Sequence, residues 1–323
     1  MFQVDPNLWL QSLASPFLTW LMLGISQLGL TLFYVALIVV LGFGVRLRPT
    51  LGVMLALLMA GLATHAAKSG FELPRPVDVD ARVLNRMEAP RALVDAGGAP
   101  SFLALPTQEA RDSLRATAEP DYGFISGHTS AATAMCVSLL LFFGLRRRAA
   151  WLALAAWPLL MGFSRMYLGR HFLGDVGGGL VVGVAAGLLA YWLLAPRAEA
   201  RTERRRLGLL VVGVGVLCVL APFSPLLHPT GLGQLAGLAL VLVLMARFGY
   251  PADAGAIWQR AGRVIVLCAF YVLCHGIADR IGEAAGWSEG SAAWVPVVAV
   301  ATAVMFLGAI AVSRRLGLYR EPA

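Results

Sequence analysis

Apolar runs close to the length of a membrane-crossing helix recur along the chain, at about 29–45, 50–66, 128–145, 149–163, 175–194, 207–221, 230–247, 264–283 and 292–312. A helix rises about 1.5 Å per residue and a bilayer core is about 30 Å thick, so some 20 apolar residues make a span. The pattern predicts an all-α fold, a polytopic membrane bundle of about nine transmembrane helices. Residues 8–28 are also apolar but are interrupted at Ser15-Pro16. Residues 1–28 are therefore expected to form an interfacial segment on the outer face. No Lys or Arg precedes Arg46. The charged start of a cleavable signal peptide is missing, and the N-terminus is expected to stay on the protein.

The polar positions orient the bundle. Alternate connections carry Arg46 and Arg48, then Arg146–Arg148, then Arg197, Arg201 and Arg204–Arg206, then Arg247, Arg260 and Arg263, with Arg314, Arg315 and Arg320 in the tail. The connections at 222–229 and 284–291 hold no basic residue. Short Arg-rich loops stay cytoplasmic, so the N-terminus is expected outside and the C-terminus inside.

One long polar stretch, residues 76–125, separates the second and third spans. Its acids (Asp78, Asp80, Glu88, Asp95, Glu109, Asp112, Glu119, Asp121) alternate with Arg82, Arg86, Arg91, Arg111 and Arg115. This mixture predicts a folded, helical extramembrane cap, with Gly97-Gly98-Ala99-Pro100 as a turn between two helical pieces. The expected domains are the interfacial segment 1–28, a catalytic membrane domain 29–196 that includes the cap 76–125, and a four-helix membrane extension 197–323.

Composition narrows the class. Of 323 residues, 59% are hydrophobic and 14% charged, against about 25% charged in soluble domains. A single soluble globule is excluded, and the net charge of +8 reads as membrane topology, with no nucleic-acid partner expected. Arginine outnumbers the single lysine 25 to one in an alanine- and leucine-rich chain, which points to a GC-rich bacterial genome and the bacterial inner membrane. Cys136, Cys218, Cys268 and Cys274 fall within expected spans, so no structural disulfide is predicted.

Three polar clusters fall at the outer ends of spans, and topology brings them to one membrane face. Lys68, the only lysine, is followed by Arg75 and Pro76. Standing alone, it would read as a helix-end lysine reaching for the interface. In Ser126-Gly127-His128, Ser126 can cap a helix whose first amides attract an anion, and His128 can exchange a proton near neutral pH. In the third cluster, Ser164-Arg165 precedes Gly169, His171 and Asp175. His171 and Asp175, four apart, share a helix face, so the carboxylate can take the Nδ1 proton and leave Nε2 nucleophilic. Arg165 offers a planar fork to phosphate oxygens. No His/Asp cluster has metal-ligand spacing.

Together these read Lys-x6-Arg-Pro, Ser-Gly-His and Ser-Arg-x3-Gly-x-His-x3-Asp. The pattern resembles the type-2 phosphatidic acid phosphatase superfamily, which includes lipid phosphatases, glucose-6-phosphatase and vanadium haloperoxidases. Eleven ordered positions, each met by chance roughly one time in twenty, leave coincidence negligible. Ile125 stands where the family usually has proline. The resemblance implies a cofactor-free, metal-free phosphatase acting on a lipid phosphate or diphosphate through phosphohistidine. It assigns His171 as nucleophile, Asp175 as its orienting carboxylate and His128 as acid and base. Lys68, Arg75, Arg165, Ser126 and Gly127 would hold the phosphoryl oxygens. Membrane lipids are the expected surroundings and the active site is expected to be periplasmic.

Other readings stay open: a sugar-phosphate phosphatase, a lipid phosphotransferase, a haloperoxidase, or a flippase using the C-terminal helices. Those helices could equally form a scaffold, a homodimer surface or a lipid-entry groove. Of the remaining histidines, His65 reads as a packed helix-end residue and His228 as a loop residue without a partner. His275 and Asp279 read as a structural hydrogen-bonded pair.

Overall fold

The structure, a computed structural model, describes residues 1–87, 93–95, 97–118, 120–195, 200–288 and 290–319. Glu88, Arg91, Glu119, Arg197 and Arg320 lie outside the described residues. The described chain is helical: α1 (Asp5–Ser12), α2 (Pro16–Gln27), α3 (Thr31–Val39, continued by a π-helical stretch to Val45), α4 (Leu47–Phe71), α5 (Pro76–Val79), α6 (Gln108–Arg115), α7 (Gly127–Phe142), α8 (Arg148–Tyr167), α9 (Leu173–Leu194), α10 (Ala200–Leu220), α11 (Pro229–Phe248), α12 (Ile257–Ala285) and α13 (Trp294–Arg315). The one β-type pairing among the described residues is an isolated bridge between Gln3 and Gly98.

Among the described residues, seven helices are long and apolar enough to cross a membrane, which makes this a multi-pass membrane protein. The two further spans expected from hydropathy take other forms. The run at 29–45 is the second arm of a bent pair, Pro16–Gln27 and Thr31–Val45, that turns through 56° and counts as an eighth span if the pair is one crossing. The run at 128–145 is α7, only 16 residues. At 1.5 Å per residue such a helix falls short of a bilayer core by about 6 Å. Apolar side chains such as Val181, Leu188, Val212 and Val272 remain exposed on the long helices, as a lipid-facing surface requires.

The chain divides into two compact units. The first comprises residues 1–33, 63–140 and 145–187. Here α1 and α2 both pack on α8. The break between α1 and α2 has a local cause: the Ser15 hydroxyl accepts from the Leu18 amide at 3.2 Å, and Pro16 opens the new helix where its missing N–H is not needed. Phe2, Val4, Leu73, Val77, Val79 and Phe172 form a buried cluster, with Phe2 edge-on to both Phe124 and Phe172 at 5.8 Å. The α7 and α9 backbones approach closely because α9 presents glycine. A Cβ on Gly179 would sit 2.8 Å from the Ser126 carbonyl, and one on Gly183 2.6 Å from that of Ser130. Small residues four apart are the usual means of such approach in membranes.

The expected helical cap is mostly irregular backbone. Among the described residues of 76–125 only α5 and α6 are helical, with four and eight residues. Only α6 keeps a helical period, burying Ala110 and Leu114 four positions apart, and the rest of the described segment is held by side chains and turns. Gly97 and Gly98 do turn through positive φ, as the motif suggested.

The second unit comprises residues 34–62, 141–144 and 188–323. In it α13 packs on both α11 and α12, α10 on α11, and α12 on the π-helical stretch. Arg48 pairs with Glu203 at 2.8 Å. Arg263, read as part of a basic connection, lies in α12, where it is buried, donates to the Asp253 carbonyl and lies over the Tyr319 ring. His228 does have a partner: it caps α11, its Nδ1 accepting from the Gly231 amide at 3.2 Å. His275 packs against the Tyr271 ring at 4.4 Å and lines, with Asp279, a cavity of about 170 Å³. All four cysteines are free.

Candidate active site

Four helix ends of the first unit meet around one cluster. Lys68 lies in the last turn of α4, His128 in the first turn of α7, Arg165 in the last turn of α8 and Asp175 in the first turn of α9. An antiparallel succession of helices puts these ends on one face, so residues more than a hundred positions apart converge without any long-range strand pairing.

His171 is buried in the turn between α8 and α9. Its Nδ1 faces Asp175 Oδ2 at 3.3 Å, and the same oxygen accepts from the Phe172 amide at 2.9 Å. Burial, then the nearby charges of Arg75, Arg165 and Lys68, hold the His171 imidazole well below its usual pKa, so it is neutral at physiological pH. A neutral imidazole that keeps its proton on Nδ1 and donates it in a hydrogen bond to a carboxylate carries a lone pair on Nε2. Gly169 makes the turn possible. Its φ is +78°, and a Cβ there would stand 2.6 Å from the Leu84 carbonyl.

Ser126 is fully buried just before α7 and accepts from the Thr129 hydroxyl at 3.0 Å and, at 3.4 Å, from its amide. The Ser126 amide donates to the Asp175 carbonyl at 3.0 Å, which joins the second motif directly to the third. Gly127 opens α7, and His128 Nε2 is buried with no hydrogen-bond partner among the described residues. Lys68 Nζ donates to the Tyr122 carbonyl at 2.9 Å. Arg75 Nε donates to the Asp121 carbonyl at 3.1 Å, and its Nη2 pairs with the Asp121 carboxylate. Arg165 donates to the Ser26 hydroxyl and to Met87 Sδ. All eight residues singled out from the sequence thus fall within one region of the first unit.

Others had no such signal. Arg170 donates to the second Asp121 oxygen at 3.1 Å and occupies a free position of the motif. Asp121 had counted only as one cap acid among several. Asn7 Nδ2 donates to the carbonyls of Met166 and His171, at 2.9 and 3.0 Å. Gln11 Nε2 donates to those of Leu84 and Tyr167, and its Oε1 accepts from the Leu84 amide. The expected interfacial segment therefore braces the turn that carries His171. His65 meets Ser69 one turn along its own helix, at 3.5 Å. Among the described residues, no group of three or more His, Cys, Asp or Glu is placed to hold a metal ion.

These features define a class: a multi-pass helical membrane protein with a cationic, histidine-bearing cluster at one end of its helices. Residues 49–199 match the model of the PAP2 superfamily, the family whose motifs the site residues resemble. It is 38% identical over 71 residues to undecaprenyl-diphosphatase BcrC of Bacillus subtilis (strain 168), covering 22% of this chain and 35% of that protein. The chain thus spans about a third of the length of that curated relative. The crystal structure of Aquifex aeolicus LpxE is similar over 58% of this chain and 93% of that one, at 20% identity and a TM-score of 0.42.

Proposed function

We propose that the protein is a phosphatase that hydrolyses a lipid phosphomonoester or diphosphate through a phosphohistidine on His171. The observation that carries this reading is a buried, neutral His171 bonded through Nδ1 to Asp175 and surrounded by Lys68, Arg75 and Arg165. Phosphoryl transfer needs positioning and neutralisation of charge more than covalent assistance. Three fixed cations and the α7 amides from Gly127 onward supply that charge. Nε2 attacks phosphorus in line, the P–O bond to the leaving group breaks, and His128 gives its proton to the departing oxygen. An incoming phosphoryl dianion favours the protonated form of His128 that this step uses. Water then attacks phospho-His171, His128 takes its proton, and phosphate leaves with His171 restored.

Two features support a lipid substrate. The cluster lies at helix ends in a protein whose long helices expose apolar surface, so a headgroup can reach it while the tail stays among the helices. The relative named as an undecaprenyl-diphosphatase puts polyprenyl diphosphates first among substrates to try. The arginine-bearing connection between α7 and α8, with Arg146 and Arg147, lies at the other ends of those two helices, which supports a periplasmic active site in a bacterial inner membrane.

The test is phosphate release by detergent-purified protein from polyprenyl diphosphates, other lipid phosphates and sugar phosphates, alongside His171→Ala. Release from lipids that vanishes in the variant is expected. Appreciable turnover by His171→Ala would overturn the mechanism, and preference for soluble sugar phosphates would overturn the substrate class.

A further inference from the structure

One dipeptide of the connection between α6 and α7 engages three cations of the site. The Tyr122 carbonyl accepts from Lys68, and the Asp121 carbonyl accepts from Arg75 Nε. The Asp121 carboxylate spans two guanidinium groups, one oxygen toward Arg75 Nη2 and the other toward Arg170 Nη2 at 3.1 Å. Exposure falls steeply across this contact: the Asp121 side chain is 42% exposed, against 7% for Arg75 and 11% for Arg170. An anion of the protein's own thus covers buried cations of the site on their solvent side.

We propose that Asp121 is a resident anion that occupies part of the phosphoryl seat and has to be displaced when a substrate phosphate enters. This rests on reading the cluster as a phosphoryl site. Two donors of Arg75 are already engaged by Asp121, so a phosphate approaching from solvent competes for them. A carboxylate and a phosphoryl dianion a few ångströms apart also repel, which disfavours both sharing the same two guanidinium groups. The carboxylate is held weakly enough to exchange, because an ion pair open to water on one side contributes little net stability. In the empty site it screens Arg75 and Arg170 from each other, and it sets a threshold that a dianionic phosphoryl group passes more readily than a monoanion. Arg170 joins the cations that face the incoming phosphate.

The experiment is titration of orthovanadate and inorganic phosphate into the full detergent-purified chain by calorimetry, with thermal melting as a second readout, for the wild type and for Asp121→Asn. Removing one negative charge at this range is expected to tighten anion binding by about tenfold and to enlarge the anion-induced rise in melting temperature. Asp121→Glu, which keeps the charge, is expected to bind no more tightly than wild type. If Asp121→Asn does not fold, Asp121→Ser removes the same charge with a smaller side chain. Equal or weaker anion binding by the neutral variant, with binding by the wild type intact, would show that Asp121 is a strut and overturn the proposal while leaving the phosphatase reading in place. Absence of anion binding by both the folded wild type and the folded neutral variant would overturn both. Because binding is measured without turnover, tighter binding by the variant supports the displacement even if no tested lipid is hydrolysed.

Discussion

Asn7 donates from its side-chain amide to the backbone carbonyl of His171 at 3.0 Å, across 164 positions of chain. The second proton of the same amide goes to Met166, so one buried residue of α1 ties down both ends of the turn that presents the proposed nucleophile. Neither bond touches a reacting atom. Their effect is to fix the backbone from which the His171 imidazole projects toward Asp175.

Asn7→Ala takes from the buried His171 carbonyl its Asn7 donor and leaves the Met166 carbonyl to the Gly169 amide, at about 1–3 kcal/mol for a buried group left unsatisfied. The expected result is a lower melting temperature together with a fall in kcat of roughly tenfold or more at little change in KM, because misplaced catalytic groups cost rate more than binding. A loss of stability with kcat intact would limit Asn7 to a folding role.

Asp175→Asn keeps the shape of the turn but takes away the negative oxygen that His171 Nδ1 faces. By analogy with other His–Asp pairs, where the amide favours the wrong tautomer, kcat is expected to fall on the order of 10²–10⁴-fold. Steady-state kinetics of the two proteins decides this, and a loss confined to KM would contradict the orienting role.

The depressed pKa of His171 also makes a statement about stability. The unfolded imidazole titrates near 6.5, and the folded one at lower pH. Between the two values the unfolded chain binds more protons, so stability is fully present above about pH 6.5 and declines as pH falls below it. Melting curves from pH 5 to 8 are expected to show this decline in the wild type and a shallower one in His171→Gln.

Gly183→Leu pushes a side chain into the closest approach of α9 to α7, where even a Cβ would stand 2.4 Å from that of Thr133. Overpacking typically costs about 1–3 kcal/mol, and this side chain meets backbone as well. The variant is expected to melt lower and lose activity, since the displaced α7 carries Ser126 and His128 with it. A wild-type melting temperature would show that the helices can part without cost.

Topology is testable by labelling. Leu103 is 83% exposed in the connection that joins α5 to α6, whereas Arg147 lies at the other end of α7 from the active site. In spheroplasts, Leu103→Cys is expected to react with a membrane-impermeant maleimide and Arg147→Cys to react only after permeabilisation. The reverse pattern would place the site in the cytoplasm.

The parts of the structure that sequence revealed share a cause. Spans announce themselves because lipid demands uniformly apolar runs, and the eight motif residues stand out because charged and histidine side chains at helix ends are rare in so apolar a chain; their proposed phosphate chemistry is what the experiments above test. α7 was overestimated because hydropathy cannot see that its helical residues stop at Phe142. The cap was read as helical because charges of both signs look alike in a surface helix and in an irregular strap. Asn7 and Gln11 were invisible: each is a single polar residue whose partners are main-chain carbonyls, and a carbonyl has no sequence signature. Arg170 fell in a free position of the motif, where only the fold shows that it turns toward Asp121.

The placement of the reactive groups at helix ends on one face has a consequence for reversibility. On the proposed chemistry, cleavage at this boundary yields one product soluble in water and one soluble in lipid. The two leave into different phases, so their joint return to the site is improbable whatever their intrinsic equilibrium. The membrane itself then acts as the separator that gives the reaction its direction.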